Sequence, residues 1–383
     1  MRKQALVGVR IGVLSTYPST QCGIATFTES LVSHLQRSVA HVGVVRVLDE
    51  PEPQIFPVVH EWVAGGRHEV EDATLVLDSY DVVLVQHEYG IFGGEDGEDV
   101  LDVVSQLRVP VISVLHTVLT SPTRHQHEVL ARLCAASSAL VTMTDTARQR
   151  LISGWGVHPS DVSVITHGAE YNLAHTRSGA PTLSSPATLL TWGLLGEGKG
   201  IEWALHALAQ LRDIRPSPRY HIVGQTHPRV LERDGEAYRE RLIGLTDDLG
   251  LSASVVFDGE FLPGPALRQI VRDADVVVLP YDSREQVTSG VLTEAVAAGK
   301  PVVSTSFPHA VELLSDGAGL LVPQRDPDAL ADALRRVLTD DGLAHRMSAT
   351  SRGLAASLLW PAVAARYVSL AESLVADRTL SVA

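Results

Sequence analysis

The chain has 383 residues, of which 45% are hydrophobic and 20% charged. That is a globular composition, in a chain longer than one hydrophobic core usually organises. Its formal net charge of -14 argues against nucleic acid as the main partner, and its two cysteines, Cys22 and Cys134, imply no disulfide framework. A reducing, cytoplasmic setting is expected, and no stretch approaches the roughly 18 apolar residues of a membrane helix.

In chain order, Val-rich strands alternate with amphipathic helices, the pattern of α/β architecture with mainly parallel sheets. The basic and then apolar start, MRKQALVGVRIGVLS, is interrupted by Arg10 and lacks a small-residue cleavage site, so it reads as a first strand instead of a signal peptide. A loop, TYPSTQCG, follows and opens a helix after Gly23, which puts backbone amides beside a crevice. A second strand is expected over Val42 to Val47, and residues 49 to 69, rich in Pro, Glu and His, read as irregular. The strand DVVLVQ ends in His87, Glu88 and Tyr89, and Gly93 and Gly94 behind it could form a mobile lip. VPVISVLH ends at His116; a helix near His125 to Ala136 and the strands SALVTMT and VSVITHG complete this half. His125 and His127, two apart, do not share a helix face, so no metal site is read from them.

The stretch from Tyr171 to Ala187 is rich in Ser, Pro, Gly and Thr, as linkers are, and the pattern then restarts. TLLTWG is a strand, LGEGKG a glycine-bearing loop and IEWALHALAQLRDI a helix. Strands follow at RYHIVG, SVVFDG, DVVVLP and PVVST, then GLLV, the helix DPDALADALRRVL and a last helix from Trp360 to Asp377.

The segment Asp275 to Thr305 organises this half as strand, loop, helix and strand. Val291, Leu292, Ala295 and Val296 share one helical face, Ser289 can cap the helix, and Gly299 and Pro301 end it. Gly290 lets a ligand approach the free amides of the first turn, where an anion fits. Glu294, about one turn further in, suits a contact to a sugar hydroxyl beyond a phosphate. Lysine occurs only at positions 3, 199 and 300. Lys199 at a helix start opposes the helix dipole, which favours a functional role for its compact ammonium.

These motifs resemble the nucleotide-binding half of the GT-B glycosyltransferases, most closely the large retaining family 4. The matching residues are the Gly loop with Lys-Gly from Gly193 to Gly200, the run Asp275 to Tyr281, and Leu292 to Val303 with its Glu-Ala motif. The first half matches more loosely, through Gly23 and Ile24, His116, and His167 with Gly168. The resemblance implies two Rossmann-like doubly wound domains facing a cleft. Residues 1–172 would form an acceptor-side domain, 173–187 a linker, 188–356 a nucleotide-sugar domain, and 357–383 a helix packing back toward the first. It implies a metal-independent hexosyltransferase without a bound cofactor, moving a mannosyl or glucosyl unit from a GDP- or UDP-linked donor to a carbohydrate, glycolipid or small-glycoside hydroxyl.

By the same resemblance, Lys199 and the amides near Gly290 and Val291 receive the diphosphate, and Glu294 accepts from the ribose hydroxyls. Gly23, Gly193, Gly224, Ser289 and Leu292 complete the implied donor site. His116 sits where the family uses a His on the donor sugar, and Tyr17, Gln21, His87 and Glu88 are acceptor-side candidates. Two departures stand out. The family's donor-sugar Glu is Gln286 here, with Glu285 beside it, and Leu194 replaces an Arg that clamps the phosphates. A sugar phosphorylase, which the same fold also serves, is one alternative, and the two departures lend weight to another, a nucleotide-sugar-binding module without turnover. The family also includes proteins that touch membranes through a basic helix, and TARQRLISGWG is the candidate for peripheral contact here.

Overall fold

The computed structural model describes residues 8–53, 55–63, 67–173, 185–262 and 264–382. The chain divides into two units, Met1–Gly168 with Trp360–Ala383, and Ala169–Leu359. Residues 174–184, most of the expected linker, lie outside the described residues.

The first unit holds β1 (Arg10–Ser15), β2 (His41–Leu48), β3 (Val58–Val63), β4 (Val82–His87), β5 (Val111–Leu115), β6 (Ala139–Thr142) and β7 (Val162–Val164) in one parallel sheet ordered β3-β2-β1-β4-β5-β6-β7. All six residues of β4 are buried, because a central parallel strand is covered on both faces. One face is covered by helix Gly23–Leu35, through Phe27, Leu31 and Leu35 at helical spacing. Helix Trp360–Val382 covers the same core through Trp360, Val363, Ala364, Tyr367 and Ala371.

The region 49–69 is not irregular throughout, since β3 and the start of helix Arg67–Leu77 fall within it. An inward charge disguises the strand. Arg46 on β2, 1% exposed, pairs with Glu61 of β3 and with Glu52, and donates to the carbonyl oxygens of Pro18 (3.0 Å) and Pro53 (3.1 Å). A buried Arg that finds this many acceptors is tolerable, and it ties β3 to the loop that follows β1.

The second unit is a parallel sheet of β8 (Thr188–Trp192), β9 (Arg219–Val223), β10 (Val255–Asp258), β11 (Val276–Leu279), β12 (Val302–Thr305) and β13 (Gly319–Val322), ordered β10-β9-β8-β11-β12-β13. Helix Gly290–Ala297 links β11 to β12, capped by the Ser289 hydroxyl, which accepts from Leu292 N at 3.2 Å. Gly299, at a φ of 70°, ends it. Lys300 is structural, for its buried ammonium donates to the carbonyl oxygens of Arg272 (2.6 Å) and Ala274 (2.7 Å). In each unit the strand order reverses once, between β1 and β4 and between β8 and β11, and ligands of open α/β sheets bind outside the carboxyl ends at such a reversal.

Candidate functional site

In the second unit three segments meet at that reversal. The loop after β8 runs from Gly193 to Gly200, with left-handed φ at Gly193, Gly198 and Gly200. Gly200 packs so closely on the carbonyl of Pro280, just past β11, that a Cβ there would overlap it. A Cβ at Gly224, past β9, would likewise overlap the carbonyl of Gly193. Asp282 N donates to Gly198 O at 3.1 Å, fastening the two loops together. The third segment is the amino end of helix Gly290–Ala297, where Val291 approaches Gly193.

Between these segments stands the fully buried ring of Tyr281, stacked on Phe307 with centroids 5.2 Å apart. The Lys199 ammonium lies over that ring, 4.5 Å from its centroid, while the ring's other neighbours include Ser289 and Glu294. Lys199 and the free amides ahead of Glu294 are thus gathered around one side chain. Burial pulls the Lys199 pKa down to about 8. Glu294 accepts a hydrogen bond from the Trp192 indole N–H at 3.3 Å, and burial pushes its pKa up to about 7 against the opposing pull of that bond and of Arg268. A cation eased toward neutrality beside the Tyr281 ring, and a carboxylate eased toward its acid form in the helix that Ser289 caps, suit a ligand carrying both an anion and hydroxyl groups.

The two departures have defined places. The Gln286 amide donates to Thr288 O at 3.2 Å, and Glu285 N bonds the Ser283 hydroxyl at 3.3 Å. Both side chains are half-buried. No Arg occupies position 194, yet Arg325 reaches the loop past β11 that is fastened to it, its Nε bonding Asp282 at 3.0 Å with a mostly exposed guanidinium. Sequence reasoning missed Trp192, Tyr281 as a seat for Lys199, Arg268 and Arg325. Only Tyr281 stood inside a quoted motif.

In the first unit the loop after β1 leads to helix Gly23–Leu35, capped by Cys22 Sγ, which accepts from Ala25 N at 3.3 Å. Open space lies beside Gly23. Phe27 on this helix meets the rings of His116, His167 and Trp360 edge-on, with centroids 4.9, 4.9 and 5.0 Å away. His116 Nε2 bonds Gln86 Oε1 at 2.8 Å. Burial, with His167 and His87 adding to it, lowers the His116 pKa to about 3. His167 Nδ1 donates to Gly168 O at 2.7 Å, and burial holds its pKa near 4.

The acceptor-side candidates do not form one surface. Gln21 is exposed and Glu88 half-buried. Tyr17 is buried, with its pKa pushed up to about 12. His87, expected to read hydroxyls, is instead wholly enclosed on β4, edge-on to Tyr89 at 5.1 Å, and neither ring nitrogen has a partner. The cause is the position of β4, a central strand covered on both faces, so that no residue of it reaches solvent. His125 and His127 indeed diverge, His127 stacking on Trp155 and His125 bonding Asp96 (3.1 Å) and Glu98 (3.3 Å). Glu95, Asp96 and His125 are near enough to share a cation, but they are partly exposed and His125 is already paired with carboxylates. Among the described residues no helix is long and apolar enough to cross a membrane.

Residues 186–340 match the family model described as Glycosyl transferases group 1. The D-inositol 3-phosphate glycosyltransferase of Thermobifida fusca is 28% identical over 302 residues, covering 74% of this chain and 67% of its own length. That of Frankia alni is 32% identical over 243 residues, covering 60% and 57%. Among solved structures, HepE of Anabaena, in complex with UDP and glucose, superimposes with a TM-score of 0.75 at 18% identity, over 95% of this chain and all of its own. Sucrose-phosphate synthase of Thermosynechococcus elongatus also reaches 0.75, at 19% identity, over 96% of this chain and all of its own. Residues 186–340 therefore form a domain of the Glycosyl transferases group 1 family, in a chain whose two parallel-sheet units carry the GT-B glycosyltransferase fold.

Proposed function

We propose that this protein is a retaining, metal-independent glycosyltransferase of family 4 type, moving a hexosyl unit from a UDP- or GDP-linked sugar to an acceptor hydroxyl. The observation that carries the reading is the grouping of Lys199, the amides of helix Gly290–Ala297 and Glu294 around Tyr281. A diphosphate leaving group gains charge as the glycosidic bond breaks, and preorganised donors in a partly dry site stabilise that charge without reorganising. Lys199 and the amides meet the phosphates, and Glu294 accepts from the ribose diol. The acceptor oxygen bonds to the anomeric carbon as the bond to the diphosphate breaks, on the same face. Its proton passes to a phosphate oxygen, so the chain needs no carboxylate base. By the resemblance, His116 is the residue proposed for the donor sugar, and Gln86 is its hydrogen-bond partner.

The names of the curated relatives make inositol phosphates the first acceptors to try. The test is incubation with UDP- and GDP-linked hexoses, these acceptors and a chelator, followed by product analysis and anomeric assignment. Transfer with retention in the presence of chelator is expected. Absence of both nucleotide binding and transfer would sink the proposal. The engaged Gln286 amide favours a second reading, a binding module without turnover, which predicts nucleoside diphosphate affinity but no product with any acceptor.

A further inference from the structure

The first unit contains a hydrogen bond whose direction decides what His116 can do. Gln86 is the penultimate residue of β4, wholly buried, and its Oε1 faces His116 Nε2 at 2.8 Å. The backbone of His116 is itself held, its N–H donating to His87 O at 3.0 Å, and Phe27 meets its ring edge-on. The ring is therefore fixed in place as well as bonded. With the Gln86 oxygen on this side, an orientation that leaves the buried Gln86 Nε2 without a partner among the described residues, the carbonyl can only accept and His116 Nε2 carries the proton. The groups that bear on the ring are His167 past β7, His87 on β4 and the apolar Phe27, and none of them is a carboxylate. A second proton has no counter-charge to join, which agrees with the low pKa that burial gives His116. Nδ1 has no partner in the protein among the described residues and is not enclosed, leaving its lone pair as the face shown to a ligand.

We propose that Gln86 is a positioning residue that locks His116 in the Nε2–H tautomer, so that Nδ1 accepts a hydrogen bond from a substrate hydroxyl. In this arrangement His116 is a fixed acceptor and carries no proton to the leaving group. The orientation of the Gln86 amide decides the matter: turned over, its NH₂ would donate to Nε2, and Nδ1 would become a donor. The substrate part of the inference rests on the transferase reading, whereas the tautomer does not.

The first test uses the native protein, labelled with 15N at histidine, with the His116 signals identified by their loss in His116→Asn. A protonated Nε2 and a bare Nδ1, unchanged between pH 8 and pH 5, are expected. A protonated Nδ1, or titration in the ordinary histidine range near pH 6.5, overturns the proposal. The second test compares Gln86→Glu and Gln86→Leu. The Glu variant keeps the volume and adds a carboxylate that favours the doubly protonated ring, so the ratio of its turnover to the native rate should fall as the pH drops from 8 to 5. The Leu variant should lose about 10- to 100-fold in kcat, the range seen when the partner orienting a metal-bound imidazole is removed, with little change in KM for the sugar nucleotide. A purely structural Gln86 would lower the melting temperature and leave the pH profile of the Glu variant like the native one, and that result also overturns the proposal. Should the native spectra agree while no sugar nucleotide is turned over, the tautomer lock stands and the transferase reading falls.

Discussion

Lys199 keeps its proton less firmly than a surface lysine, because burial lowers its pKa to about 8 and the Tyr281 face offers only part of the lost hydration. A bound diphosphate restores the preference for charge and raises that pKa. Nucleoside diphosphate affinity should thus fall above pH 8, by up to about tenfold per unit until the pKa of the complex is reached. Titration calorimetry across pH 7 to 10 checks this. Lys199→Ala should remove the dependence and weaken binding by roughly 1.5–3 kcal/mol, the scale of a charge-assisted hydrogen bond. Glu294 presents the opposite sign. Its folded pKa of about 7 lies above the ordinary carboxylate value of 4.5, so the stabilising contribution is complete below pH 4.5 and is lost as the pH rises through 7. Glu294→Gln should accordingly raise the melting temperature of the ligand-free protein at pH 8, by an amount on the order of 2 kcal/mol, and bring no gain at pH 4.5. The same variant should bind nucleoside diphosphate about tenfold more weakly, and thermal unfolding with and without ligand separates the two effects. Lys199 stands out in the sequence because a cation at a helix start opposes the dipole, and Glu294 because it follows the helix start by about one turn. Trp192 does not, because it meets Glu294 across 102 residues of chain and no local pattern carries that contact.

At the scale of elements, the segment from β11 to β12 was legible nearly residue by residue. A Val run, a Ser cap and a Gly stop are local signals, and Leu292, Ala295 and Val296 are indeed buried. Ser289 does more than end a turn, since its N–H donates to His309 Nδ1 at 2.8 Å while its hydroxyl caps the helix. Ser289→Ala should cost about 1 kcal/mol in denaturant unfolding and should also loosen nucleotide binding, because the amides it orders are those that receive the anion. Unchanged affinity in that variant would remove the helix end from the site. Two of the elements that escaped the sequence reading did so for clear physical reasons. β3 hides because Glu61 points inward to a buried Arg46, inverting the usual pattern of a half-covered strand. Helix Asp341–Leu358 hides because its buried positions, Met347, Ser351, Ala355 and Leu358, are mostly small or polar, which gives it little amphipathic contrast.

For the whole molecule, the alternation of strands and helices was enough to give two α/β halves, while the boundary between them is set by contacts that no sequence window contains. The second unit is one continuous segment, Ala169–Leu359, whereas the first needs Trp360–Ala383 to cover its sheet. A fragment of residues 169–359 should melt cooperatively and bind nucleoside diphosphate, while 1–168 alone should lack a cooperative transition until a 360–383 peptide is added. Calorimetry of the three samples decides it, and independent cooperative melting of 1–168 would contradict the role given to the last helix. That division also sets a calendar for biosynthesis. Trp360, whose ring packs over Gly168 so closely that a Cβ there would overlap it, leaves the ribosome only after the entire second unit has been made. The strands of the first unit must wait, sheet uncapped, until the helix that begins at Trp360 has been made. A premature stop anywhere beyond the second unit would release a product whose nucleotide-binding half is finished and whose opening half still shows a greasy flank to chaperones and proteases.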